Sequence, residues 1–206
     1  MNYTQFQKKM SDYPVFTKQE IEKHFPEFDT RRLVEWQEKG YILKIRNRYY
    51  CFSEAFISEE FLYYTANTIY QPSYVSLESA LAYYGIIPEG VFQTVSCTTL
   101  KTETFGTPVG HFQYRHIKKK LFFGYTLETW KNVRYAMAEL EKAVIDYLYL
   151  HSEILDSSTF QSLRWKMDVI RTNMSLEKLK VYGNYLDHDA LDKRLGIFKG
   201  VLHAET

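Results

Sequence analysis

Residues Phe16 to Phe52 read FTKQEIEKHFPEFDTRRLVEWQEKGYILKIRNRYYCF, and the caps, breakers and apolar spacing in this stretch decide how the N-terminal part of the chain folds. Thr17 followed by Glu20 is a capping box, in which side chain and backbone satisfy each other's free donors, and Phe16 with Ile21 forms a hydrophobic staple around it. Pro26 stops that helix from running on. Asp29 is placed to cap a second helix, with Phe28 and Leu33 as another staple pair. Leu33 and Trp36 fall at helical spacing toward a core, and Gly40 sits where a left-handed C-terminal residue is wanted. Two helices in so short a span must meet at an angle. After Gly40, YILKI and RYYCF are β-prone runs on either side of Arg46-Asn47, which predicts a hairpin whose tip carries Lys44, Arg46 and Arg48.

Working outward, residues 2 to 11 predict a short helix capped by Asn2, with Tyr3, Phe6 and Met10 on one side. Three helices and a basic hairpin are the parts of a winged helix-turn-helix, assigned to residues 1–55. In that arrangement the N-terminal part of the second paired helix enters the major groove, where an arginine gives bidentate hydrogen bonds to guanine, while hairpin cations neutralise phosphates. The candidate DNA-binding residues are Lys18 and Gln19 on the first of the pair, then Thr30, Arg31, Arg32 and Glu35 on the outer face of the second. Lys44, Arg46, Asn47 and Arg48 complete the set on the hairpin, with Tyr49 and Tyr50 beside it. The competing reading makes all of these ordinary solvated residues on a small helical module.

Toward the C-terminus, Ser53 to Ser58 is the expected joint, and Ser58-Glu59-Glu60 opens a helix through about Tyr70, stopped by Pro72. SYVSLESALAYYGIIPEG predicts a helix capped by Ser76, with Leu77, Ala80, Leu81 and Tyr84 on one stripe and Gly85 at its end. VFQTVSCTT, HFQYRHI, LFFGYTLE and VRYAM predict a small antiparallel sheet, with TETFGTPVG as connecting material. A helix from about Ala138 to His151 carries Leu140, Ala143, Val144, Tyr147 and Leu148 to cover it. Residues 56–156 therefore read as an α+β domain. From Ser157 on, Phe160, Leu163, Met167 and Ile170, then Leu176, Leu179, Tyr182 and Leu186, then Leu191 and Leu195 predict a helical C-terminal subdomain, residues 157–206. The fold class of the whole chain is α+β, with a helical C-terminal tail.

With 206 residues, 18 Tyr and 14 Phe, the chain has apolar surface for one large domain or two small ones. Cys51 and Cys97 lie far apart in separate predicted strands, so neither a disulfide framework nor a zinc site is expected, which fits a reducing, cytoplasmic protein. MNYTQFQKKM lacks the apolar core of a secretory signal, and no run approaches the ~20 apolar residues that span a bilayer. Charge is more informative by region than in total: residues 1–52 carry 10 Lys/Arg against 7 Asp/Glu (+3), 53–156 carry 8 against 12 (−4), and 157–206 carry 8 against 6 (+2). A basic reader joined to an acidic body is the pattern of a DNA-binding module with a separate partner-binding domain.

Enzyme chemistry finds no foothold in the residue pattern. His24, His111, His116, His151, His188 and His203 make no metal-ligand set with carboxylates or cysteines, and no phosphate-cradling glycine loop occurs. Glu139, Glu141 and Lys142 at helical spacing read as a solvated helix face rather than a magnesium site. Lys118-Lys119-Lys120 reads as a turn between strands, with a second phosphate contact as the alternative. No cofactor, metal or catalytic residue is expected.

The order of a winged helix, YVSLESALAYYGIIPEGVFQTVSCTT, ETFGTPVGHFQYRHIKKKLFFGY and AELEKAVIDYLYLH resembles the AbiEi family of antitoxins and transcriptional regulators, over roughly residues 14 to 151. The resemblance implies the antitoxin of a type IV toxin-antitoxin system in abortive phage defence. Its functional partner would be a nucleotidyltransferase-like toxin, opposed without a stable complex. The same protein would repress its own operon by binding promoter inverted repeats in double-stranded DNA. The alternatives are a stand-alone winged-helix regulator without a toxin partner, and an enzyme to which the winged helix delivers nucleic acid.

Overall fold

The computed structural model describes residues 2–87, 92–186 and 188–204. Its N-terminal unit opens with α1 (Tyr3–Met10), where Asn2 accepts from the Gln5 backbone at 2.9 Å and the Gln5 side chain returns the bond at 3.2 Å. β1 (Phe16–Thr17) leads into α2 (Lys18–His24), whose capping box is formed: Glu20 Oε2 accepts from Thr17 N at 2.6 Å, and Thr17 Oγ1 accepts from Glu20 N at 3.3 Å. The second helix of the pair, α3 (Arg31–Glu38), starts later than Asp29. Thr30 holds the cap position without a side-chain bond, and Asp29 accepts from Arg31 N with its carboxylate and from Arg32 N with its carbonyl, a tight turn ahead of the regular helix. Gly40, at φ +69°, ends it as expected. Gly40 N donates to Gln37 O and Tyr41 N to Trp36 O, the paired bonds of a Schellman motif.

The hairpin is β2 (Ile42–Arg46) and β3 (Tyr49–Phe52), turning at Asn47-Arg48 rather than Arg46-Asn47. A bulge between Lys44 and Arg46 shifts the register by one, and Asn47 takes the left-handed conformation at φ +40°. β1 pairs with β3, giving a three-stranded antiparallel sheet in the order β1-β3-β2. Phe6, Met10, Phe16, Ile21, Phe28, Leu33, Trp36 and Ile42 make the core beneath it.

The rest of the chain is built on a six-stranded sheet. After a turn and extended linker over residues 53–58 come α4 (Glu59–Ile69), β4 (Ser73–Val75), α5 (Leu77–Tyr83), β5 (Thr94–Thr98), β6 (Glu103–Thr107), β7 (Gly110–His116), β8 (Tyr125–Trp130), β9 (Val133–Ala138) and α6 (Leu140–Leu150). The strand order is β6-β7-β5-β4-β9-β8, and the sheet is mixed, not antiparallel: β5–β7 and β4–β9 run parallel. TETFGTPVG is the reason for the first, because it contains an edge strand and not only a turn. The chain runs out as β6 and folds back as β7 between β6 and β5. The second reason is β4, three wholly buried residues that read in sequence as a lead-in to a helix. In LFFGYTLE the strand begins only at Tyr125, Lys119–Leu121 forming a 3₁₀ turn before it. Val91, the first residue of VFQTVSCTT, lies outside the described residues.

Alternation along β4 and β5 sends Tyr74 and Cys97 toward α6, while Tyr114 of β7 reaches the other face to donate to Ala66 O of α4 at 2.7 Å. α6 is not half-solvated. It lies between the sheet and the C-terminal helices α7 (Ser157–Gln161), α8 (Met167–Asn173), α9 (Leu176–Leu186) and α10 (Asp189–Ala204), so Leu140 to Leu148 are all buried. This overturns the solvated-face reading of Glu139, Glu141 and Lys142. Lys142 and Asp146 are both fully buried and ion-paired; Lys142 Nζ donates to Tyr74 Oη at 2.7 Å, and the Tyr74 and Ser76 hydroxyls each donate to Asp146 Oδ2 at 2.8 Å. Ser76 therefore spends its hydroxyl in the core and makes no side-chain cap. Glu141 accepts from Ser175 N at 2.7 Å, and Glu139 takes Lys178 at 3.0 Å and the Tyr182 hydroxyl. Phe160, Ile170, Leu179, Leu191 and Phe198 share one apolar cluster with Val75, Met137 and Ala143, so the C-terminal helices complete the body's core. No helix among the described residues is long and apolar enough to cross a membrane.

A third cluster joins the two units. Val15, Ile45 and Cys51 of the N-terminal unit pack with Phe61, Ala66, Ile69, Phe112 and Tyr114 of the body. The back of the hairpin is thus seated on α4 and β7.

Candidate nucleic-acid interface

With the hairpin's back face packed against the body, α3, the outer side of α2 and the hairpin tip are open to solvent. The helical period puts Arg31, Val34, Glu35 and Glu38 on one outward stripe of α3, opposite buried Leu33 and Trp36. Thr30 and Arg31 are exposed and Arg32 half-exposed, so the N-terminal end of α3 faces solvent. Lys18 and Gln19 are exposed on α2. Lys44, Asn47 and Arg48 are exposed on the hairpin.

Three of the cations on this surface, Arg31, Lys39 and Lys18, are in ion pairs. Arg31 Nε and Nη2 grip the Asp29 carboxylate at 2.7 to 3.0 Å, and that guanidinium holds the Asp29 carboxyl below its ordinary range. Lys39 pairs with Glu35 at 2.6 Å, which lowers the Glu35 pKa in the same way, and Lys18 pairs with Glu22 at 3.2 Å. Such exposed pairs are weak and exchange readily for a stronger anion. Arg32 stands at the wall of a recess of about 510 Å³ between α2 and α3, lined also by His24, Phe25, Phe28 and Asp29.

Arg46 is placed differently from the other hairpin cations. Its Nη1 donates to Ile69 O at 3.3 Å and its guanidinium lies 3.6 Å from the Phe105 ring centroid, so it ties the hairpin to α4 and β6. The bulge that moved the turn also turned Arg46 toward the body. Arg48 stays at the tip, 5.5 Å from the Tyr49 ring, on the rim of a groove of about 580 Å³ that runs between the tip and Tyr70. Tyr50 lies against Phe16. The structure therefore leaves Arg31, Arg32, Lys44, Asn47 and Arg48 as solvent-facing groups of one unit and withdraws Arg46 from them.

Val34 was missed from the sequence. It is 57% exposed on the outward stripe, and its position three residues after Arg31 was the available signal. An exposed apolar group there is suited to contact with a thymine methyl. Elsewhere, no group of three or more His, Cys, Asp or Glu able to hold a metal occurs among the described residues. No protein-family model and no curated protein matches the chain.

Proposed function

We propose that this chain is a DNA-binding antitoxin of the type IV kind, whose N-terminal winged helix-turn-helix represses its own operon and whose body opposes a nucleotidyltransferase-like toxin. The observation that carries the DNA half is the solvent-exposed N-terminal end of α3 on the same unit as an exposed basic hairpin tip, while the back of the hairpin is packed against the body. Arg31 and Arg32 read base edges in the major groove, with Val34 against a methyl, while Lys44 and Arg48 contact phosphates. On a duplex Arg31 exchanges Asp29 for a guanine edge. The antitoxin half is supported by the AbiEi resemblance. The pieces that carry it meet around one buried ion pair, Lys142 with Asp146 of EKAVIDYLY: Tyr74 and Ser76 bond to it, and a Cβ at Gly124 of FFGY would lie 3.1 Å from the Lys142 stem.

Band-shift titration on the operon's own promoter tests the DNA half. Arg31→Ala or Arg32→Ala is expected to weaken specific binding by about 1–3 kcal/mol, and Asp29→Asn to tighten it by freeing Arg31. Lys44→Ala and Arg48→Ala weaken all sequences alike and flatten the salt dependence. Unchanged binding in all four Ala variants refutes the DNA-reading mechanism. For the antitoxin half, co-expression with the neighbouring toxin gene should restore growth, and continued arrest refutes it. Operator binding without any growth rescue would leave the stand-alone regulator.

A further inference from the structure

β8 is an edge of the six-stranded sheet, and apart from Glu128 it carries no charged residue to guard its outer side. It contains no proline or lysine, and its register with β9 runs without a shift from Tyr125 to Trp130. The direction of its backbone groups follows from one bond. Glu139 N donates to Gly124 O at 2.9 Å, so Gly124 faces β9, and alternation turns Thr126, Glu128 and Trp130 inward. The N–H and C=O groups of Tyr125, Leu127 and Thr129 therefore point away from the sheet. Leu127 is 60% exposed there, on the side where Tyr125 stacks on Tyr74. The opposite edge, β6, is occupied differently: Phe105 lies under Arg46 and Glu103 pairs with Lys101.

We propose that β8 is a homodimerisation strand, pairing antiparallel with β8 of a second copy about a two-fold axis at Leu127. A self-pairing strand must match outward residues with outward residues, and centring on Leu127 does so over the longest run. Leu127 then faces its counterpart, Tyr125 faces Thr129, and Thr126 faces Glu128, repeating between chains the Thr126–Glu128 hydrogen bond of 2.9 Å seen within one. The neighbouring register centred on Glu128 sets two carboxylates opposite each other, which is destabilising. The chain's own strand thus satisfies the backbone, the apolar side chain and the charge at once. A single short edge gives a weak, concentration-dependent dimer rather than an obligate one.

Sedimentation equilibrium of the full chain, without DNA, tests this independently of the DNA reading. Wild type is expected to dimerise at high concentration, L127K and L127E each to do so about tenfold more weakly or not at all, and their equimolar mixture to recover a dimer. Leu127 is exposed, so circular dichroism should show both variants folded. The register has its own readout: mixed T126C and E128C chains form an intermolecular disulfide under oxidation, because facing residues of a non-hydrogen-bonded pair lie within disulfide reach. Neither variant does so alone. A wild type that stays monomeric, a dimer indifferent to L127K and L127E, or cross-linking equally efficient without the mixture overturns the proposal.

Discussion

The buried Lys142–Asp146 pair takes two charges out of water, a cost at the scale of single residues that only its partners offset. Both side chains are fully buried, and Tyr74 and Ser76 supply the hydrogen bonds that make the pair tolerable there. Removing one partner leaves an uncompensated charge, so Asp146→Ala should destabilise the chain by about 3–5 kcal/mol in urea denaturation. The double variant Lys142→Met/Asp146→Leu should lose much less, and equal losses would show that packing rather than charge sets the cost. His151 is the corresponding pH-sensitive residue. Its ring stacks on Tyr147, Nδ1 meets Glu153 at 2.6 Å and Nε2 approaches Glu78 at 3.4 Å. Burial opposes its cation, but Glu78 and Glu153 together outweigh burial and raise its pKa. A raised histidine pKa contributes stability that is complete below the unfolded value, about 6.5, and lost as pH rises through the folded value. His151→Gln should therefore cost more stability near about pH 6 than near about pH 8.5, as thermal melts of both proteins at each pH would show. None of these partnerships was legible in sequence. Lys142 and Glu141 sit at spacings that suit a solvated face, and only the arrival of the C-terminal helices closes water out.

Elements whose ends are written in local chemistry were legible, because a cap needs no distant partner. Asn2, Thr17, Ser58 and Gly40 all do at short range what their spacing predicts. Thr17→Ala removes the acceptor for Glu20 N and should cost about 1 kcal/mol, measurable as a lower urea midpoint with unchanged slope. A loss below a few tenths would mean that the Phe16–Ile21 staple alone fixes the start of α2. Elements defined by a neighbour were not legible. β4 is three residues long and is a strand only because β5 and β9 flank it. β6 holds glycine and threonine and pairs only because β7 folds back on it. The same distinction separates the site residues: the exposure of Arg31 follows from the helical period, whereas the withdrawal of Arg46 depends on a bulge and on Phe105.

The two units of the whole molecule are coupled by apolar packing rather than by a free linker. Ile45 and Cys51 on the back of the hairpin are buried against Phe61, Ile69 and Tyr114, while Arg46 and the Asn132–Asp12 hydrogen bond of 2.8 Å pin the two sides of the junction. The exposed face of α3 is then held in a fixed orientation to the sheet that carries β8. Coupling of this kind predicts a single unfolding event, because the N-terminal unit loses part of its core when the body melts. Trp36 reports on the N-terminal core and Trp165 on the core of the body, so variants retaining one or the other should show coincident urea transitions. Ile45→Ala deletes buried methyl groups at the junction and should cost about 2–5 kcal/mol in a fully cooperative molecule. If it also uncouples the units, the Trp36 transition should move to lower urea while Trp165 changes less. Transitions already separate in the wild type would mean that the junction cluster contributes little, and that α3 is free to reorient against the body.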